Sequence, residues 1–160
     1  MKITNIEAIP VSIPFTQSGK MADFIVGKPW TELGHLLVQV ETDEGITGYG
    51  DAFGFNVIHA TKTAIDTLIA PMAIGRDPSQ IGPLMDELTK KTHIFGRYGI
   101  TTFALSGLDI ALWDIAGKVA GVPLFKLLGG SSRSEIPAYA SLLKYQDANV
   151  CARLAEEAIG

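Results

Sequence analysis

Apolar and polar residues keep no single period along this chain, and the changes of period mark its elements. Between Lys2 and Ile13 they alternate imperfectly, with Ile3, Ile6 and Ile9 among polar neighbours, and Pro10 and Pro14 lack the N–H a central strand needs. That segment predicts a strand ending at a sheet edge. Gly34 to Thr42, which contains HLLVQV, predicts a second strand. Asp43-Glu44-Gly45 then turns the chain, and Ile46 to Asp51 returns as a third. The three predict an antiparallel meander. Between the first two, Phe15 to Pro29 carries Gly19, Gly27, Pro29 and scattered apolar residues without a period. It reads as a long mobile loop, and loops of about a dozen residues or more in compact domains are usually lids or disordered.

From Asn56 the period lengthens to that of a helix. Val57, Ile58, Ile65, Leu68 and Ile69 fall on one stripe, with Asn56 as N-cap and Pro71 as the stop. Asp77-Pro78-Ser79-Gln80 has the form of a cap, but Gly82-Pro83 interrupts a helix begun there. The next helix therefore starts either at that cap or at Pro83, and runs through Leu84, Met85 and Leu88. After Gly96–Gly99 comes a long helix, closed by Gly121 and Pro123. Apolar side chains cover nearly all its faces, which predicts burial on all sides and more cover than a small meander offers. Ile136 to Leu143 predicts a further strand and Asn149 to Ile159 an amphipathic helix, together one βα unit. No internal repeat or low-complexity segment interrupts this order.

Composition changes the picture in one respect. The chain is 47% hydrophobic and only 19% charged, against about 25% charged for soluble domains. With no run near the roughly 20 apolar residues of a membrane span, that excess implies a surface covered by more protein, and a homo-oligomer is expected. The start, MKITNIEAIPVSIPF, lacks a continuous signal-peptide core. The formal charge of −4 without any Lys/Arg cluster argues against nucleic acid. Cys151, the single cysteine, excludes an internal disulfide. Cytoplasm, with no membrane attachment, is the expected location.

Three stretches carry a family resemblance: ETDEGITGYGDAF at the hairpin, IGRDPSQI before the third helix, and ALSGLDIALWDIAGKVAGVPLFKLLGG. In this order they resemble the mandelate racemase/muconate lactonizing enzyme group of the enolase superfamily, over essentially the whole chain. The resemblance implies an α+β capping domain, Met1 to about Gly130, followed by a (β/α)₈ barrel of about 200–250 residues. Residues 131–160 would then be the first strand and helix of that barrel, which is otherwise absent. It also implies that the chemistry sits on later barrel strands, where Lys or His bases act and carboxylates bind Mg²⁺. Those positions lie outside this sequence, so the fragment alone is expected to be inactive. The complete protein would be a lyase or isomerase that abstracts the proton α to a carboxylate. Its substrate would be a small carboxylate such as an acid sugar (dehydration) or a hydroxy acid (racemisation). A rival expectation is a non-catalytic interaction module, a free-standing cap that assembles through its apolar helix.

Few residues stand out as candidate sites. Ser141 falls near the C-terminal end of the expected barrel strand, where barrel enzymes place their sites. By the resemblance, Tyr139 and Ser141 match a Tyr-x-Ser pattern whose serine faces the substrate carboxylate; the alternative is a barrel-interior serine bonded to backbone, with Tyr139 as packing. The resemblance also implies that Thr16–Trp30 and Ala52–Asn56 close over the barrel mouth. Lys20, Phe24 and Val26 in the first and Phe53 and Phe55 in the second could line a pocket, or the two Phe could pack under the cap and Lys20 sit in solvent. The acid neighbours Asp43/Glu44, Asp86/Glu87 and Glu156/Glu157 read as solvated faces rather than a Mg²⁺ site. His35, His59 and His93 lack ligand spacing. Asp109 and Asp114 face about 140° apart on the long helix, Asp114 pairing with Lys118 and Asp109 meeting backbone or Arg groups where cap meets barrel. Cys151 has no neighbouring His and reads as an inert thiol.

Overall fold

The computed structural model describes residues 1–15, 31–130, 133, 135–142, 145 and 147–159. They fall into two compact units, Met1–Ser12 with Gly34–Ser131, and Ile13–Leu33 with Ser132–Gly160. The first is a three-stranded antiparallel sheet with helices on one face. β1 (Ile3–Pro14), β2 (Glu32–Thr42) and β3 (Thr47–Asp51) lie in that order across the sheet. β2 and β3 pair antiparallel with Leu37 opposite Asp51 and Glu41 opposite Thr47. The register comes from a tight turn in which Gly45 N–H donates to the Thr42 carbonyl at 3.1 Å. Gly45 takes a left-handed φ of 76°, which a residue without a Cβ adopts at little cost.

Alternation sends Leu36, Val38 and Val40 of β2 into the core, beside Ile3, Ile6 and Ala8 of β1. Four helices answer them in the first unit: α1 (Ile58–Ala64), α2 (Ala70–Ala73), α3 (Ile81–Thr92) and α4 (Ile100–Ala120), with a short α5 (Leu124–Leu127) behind. Ile65, Ile69, Leu84, Leu88, Leu108, Leu112 and Ile115 complete the buried core.

β3 and α4 are in backbone contact. A Cβ added to Gly48 would lie 2.2 Å from the Ala111 carbonyl oxygen, and one on Gly50 2.1 Å from that of Gly107. A Cβ on Gly107 would in turn meet Val38 and Ala52, at 2.6 and 2.7 Å. The strand GYGDA therefore lies directly on the helix backbone, and only glycine fits at the two contact positions. Along α4, Ala104, Leu108, Ala111 and Ile115 are buried, while Ile110 is 43% exposed and Trp113 half-buried. Burial thus covers the sheet-facing side and not the whole circumference, because the sheet and α1 and α3 meet the helix from one direction.

Helix boundaries differ from the sequence reading in three places. The N-cap of α1 is Val57 and makes no side-chain cap bond; Asn56 precedes it in a left-handed conformation, φ 59°. Pro71 does not end the helix. Ile65–Ile69 widens into a π-helical turn and α2 continues to Ala73, which relieves the crowding and the missing N–H that proline imposes on the preceding turn. Gly82 and Pro83 lie inside the first turn of α3, where a proline N–H would have no intrahelical acceptor. Ahead of that helix Asp77 Oδ1 accepts the Ser79 N–H at 2.9 Å.

In the second unit, Phe15 N–H donates to the Thr31 carbonyl at 3.0 Å. α6 (Ala148–Ile159) starts where Asp147 Oδ1 accepts the Asn149 N–H at 2.9 Å, an ordinary N-cap. The expected strand Ile136–Leu143 is not formed: 135–142 holds no regular element, and every residue in it is exposed. A strand's N–H and C=O groups need a neighbouring strand, and the described residues supply none there. Leu143 lies outside them.

Candidate functional site

The sequence-derived candidates do not converge on one site. Thr16–Trp30, with Lys20, Phe24 and Val26, lies outside the described residues. Ser141 and Tyr139 sit in the exposed 135–142 segment, Tyr139 at 88% exposure. Phe53 and Phe55 occupy the Ala52–Asn56 segment after β3. Ala52 is held by its N–H to the Leu36 carbonyl at 2.8 Å, and Gly54 by its carbonyl to the Val57 N–H at 2.8 Å. Phe53 is 55% exposed, yet its ring meets Phe103 of α4 edge-on, with centroids 4.9 Å apart. Phe55 is half-buried.

At that same end of the sheet His35 Nδ1 lies 3.3 Å from Asp51 Oδ2. Residue types alone do not join these two. The signal was present in the turn: a register that sets Leu37 opposite Asp51 brings the residue two before Leu37 beside it. The pair is partly open to solvent, the His35 side chain 37% and that of Asp51 51% exposed.

A second concavity of about 750 Å³ runs between α3 and α4, with Met85, Thr89, His93, Arg97, Leu105 and Asp109 among its walls. Its walls are mainly apolar. The sequence predicts that Asp109 satisfies backbone or Arg groups. In the structure it has no hydrogen bond or ion pair among the described residues, and burial pushes its carboxyl above the ordinary value.

Most of the other acids have partners. Asp43 Oδ1 accepts the Lys2 N–H at 2.7 Å, and Glu44 meets the terminal ammonium at 3.1 Å. The two terminal guanidinium nitrogens of Arg76, Nη1 and Nη2, donate to Glu87 at 3.1 and 2.6 Å, and Lys91 adds a third contact. These hydrogen bonds hold the Glu87 carboxyl at about 2. Asp86 pairs with Lys90, Asp114 with Lys118, and Glu157 with Arg153. Among the described residues no three His, Cys, Asp or Glu side chains converge. These residues do not fit a magnesium site, because no three of them converge and most of their carboxylates are taken up by nearby cations and backbone amides.

An antiparallel meander interlocked with a helical layer is a capping-domain architecture found in the enolase superfamily. A member of that superfamily from Polaromonas sp. JS666 superposes with a TM-score of 0.80 at 37% identity, over 99% of this chain and 42% of its own. More narrowly, residues 25–129 match the model of the mandelate racemase/muconate lactonizing enzyme N-terminal domain, and the chain belongs to that family. The arabinonate dehydratase of Saccharolobus solfataricus is 37% identical over 122 residues, 76% of this chain and 32% of that protein. A mandelate racemase/muconate lactonizing protein of Paracoccus denitrificans, solved in complex with magnesium, superposes with a TM-score of 0.67 at 31% identity. That match covers 85% of this chain and 32% of the other. The chain thus spans about a third of the curated relative's length.

Proposed function

We propose that this chain is the capping portion, with the first βα unit, of an Mg²⁺-dependent acid-sugar dehydratase. The complete enzyme removes the proton α to the substrate carboxylate and expels the β-hydroxyl as water; the resulting enol becomes a 2-keto acid. What supports this reading most is the match over residues 25–129 together with the identity to an arabinonate dehydratase. Within it, residues 131–160 belong to the barrel, and Thr16–Trp30 and Ala52–Asn56 close over its mouth. Phe53, fixed against Phe103, and Phe55 supply an apolar wall that excludes water. Ser141 donates to the substrate carboxylate, beside Tyr139. No step of the chemistry is assigned to the described carboxylates.

A chimera tests this directly. Grafted in place of the matching segment of the arabinonate dehydratase, the chain should support formation of 2-keto acid from an aldonate, trapped as its semicarbazone. The 160 residues alone should form none. A folded chimera inactive on every aldonate of a panel, or turnover by the isolated chain, overturns the reading. In the active chimera Ser141→Ala should lower turnover by about tenfold to a thousandfold, the scale of one lost preorganised donor. Unchanged turnover removes Ser141 from the site.

A further inference from the structure

β1 and β3 are the two edges of the sheet, and edge strands present unpaired backbone groups that accept another strand. Both edges here carry the same device. On β3, the register and the Ala52 N–H bond to Leu36 turn the backbone groups of Gly48, Gly50 and Ala52 towards β2. Those of Thr47, Tyr49 and Asp51 therefore point outward. Tyr49 N–H donates to Asp114 Oδ2 at 2.8 Å, and Lys118 Nζ donates to the Thr47 carbonyl at 2.7 Å. Asp114 and Lys118 are themselves paired at 2.7 Å, and the ammonium lies 5.2 Å from the centre of the Tyr49 ring. On β1, Lys62 Nζ donates to the Ala8 carbonyl at 2.7 Å and pairs with Asp66 at 2.9 Å. Pro10, on the same side of the strand as Ala8 by the two-residue period, has no N–H to offer.

An Asp/Lys pair four residues apart on a helix surface contributes little by itself. What distinguishes these two is their reach: each lysine leaves its helix to occupy an edge carbonyl, on opposite sides of the sheet. We propose that the two pairs are edge guards, and that the partner they exclude is a second copy of this chain. The β3 edge is the better guarded, with both a donor and an acceptor taken. Opened, it would pair antiparallel with its counterpart, Tyr49 against Tyr49, each N–H meeting the other's carbonyl. The guard holds because strand pairing must first break a charge-assisted hydrogen bond at each group.

The test is the double variant Asp114→Ala/Lys118→Met, followed by sedimentation velocity over a concentration series. Self-association should tighten by at least about tenfold to a hundredfold relative to the parent, the factor expected for removing a single charge-assisted competitor, since the double variant removes two. Amide exchange across Thr47–Asp51 should slow as concentration rises, which places the new contact at this edge. A variant with the parent's circular dichroism and unchanged association overturns the proposal. So does association without concentration-dependent protection at Thr47–Asp51. Should the double variant not fold, Lys118→Met alone keeps Asp114 on the Tyr49 amide and keeps the apolar stem. It should shift association in the same direction by a smaller factor, and no shift overturns the proposal equally.

Discussion

Thr47–Asp51 and Glu135–Leu142 make an instructive pair. The first is a strand although two of its five residues are glycine, which weakens a strand interior. The second, which carries Ile136, Tyr139 and Leu142 and no glycine, has better strand composition and forms no strand; Ile136 is 84% and Tyr139 88% exposed. What separates them is neighbours. β3 has β2 on one side, Asp114 and Lys118 on the other, and the backbone of α4 across its face. Its glycines are the reason for that last contact: a side chain at 48 or 50 would lift the strand off the helix. In the 135–142 segment no described strand lies alongside, so the cost of ordering the backbone, about 1–2 kcal/mol per residue, has nothing to offset it. Composition proposes a strand, and pairing makes one.

The largest effect that separates the two regions is steric. Gly50→Ala places a Cβ against the Gly107 carbonyl, where neither backbone can yield. It should cost about 3 kcal/mol in urea unfolding, the upper range for overpacking. Ala140→Val should stay within about 0.5 kcal/mol, as for an exposed site. Equal effects at the two positions would break the comparison.

Charge holds the packed unit less strongly, and in a pH window that can be stated. Glu87 is held at about 2, against an ordinary 4.5, chiefly by its hydrogen bonds to Arg76 and then Lys91. A carboxyl depressed in the folded state contributes stability that is present above its unfolded value and lost as pH falls through the folded one. Stability should therefore fall from about pH 5 to about pH 2, and less steeply in Glu87→Gln. Parallel pH profiles for parent and variant would remove that contribution.

The smallest effect has the opposite sign. Burial raises Asp109, so the folded state holds its proton more tightly than the unfolded chain, and ionisation costs stability as pH rises through the folded value. Asp109→Asn should raise the melting temperature slightly at neutral pH and leave it unchanged in acid. A fall at neutral pH would show that the carboxylate has a partner in solution.

Much of the scaffold was legible from local rules. The meander came from alternation and from Asp43-Glu44-Gly45, the long helix from its length and its Gly121 stop, and the last helix from its amphipathic period. The candidate site was far less legible. Phe53 and Phe55 could be named from a resemblance, but the contact of Phe53 with Phe103 joins residues distant in the chain. The pairing of His35 with Asp51 needed the strand register as well as the residue types.

The sequence by itself determined where the chain turns, which faces of the first three strands are apolar, and which family the chain resembles, because periodicity, turn chemistry and motif spacing are local. Only the tertiary structure decided that Pro71 sits within a continuing helix, that Gly48 and Gly50 are contact points, and that Asp114 and Lys118 close a sheet edge. It also decided that Ile136–Leu142 is no strand here. Each of these depends on what lies across from a residue, and hydrogen-bond partners and steric clearance are properties of pairs.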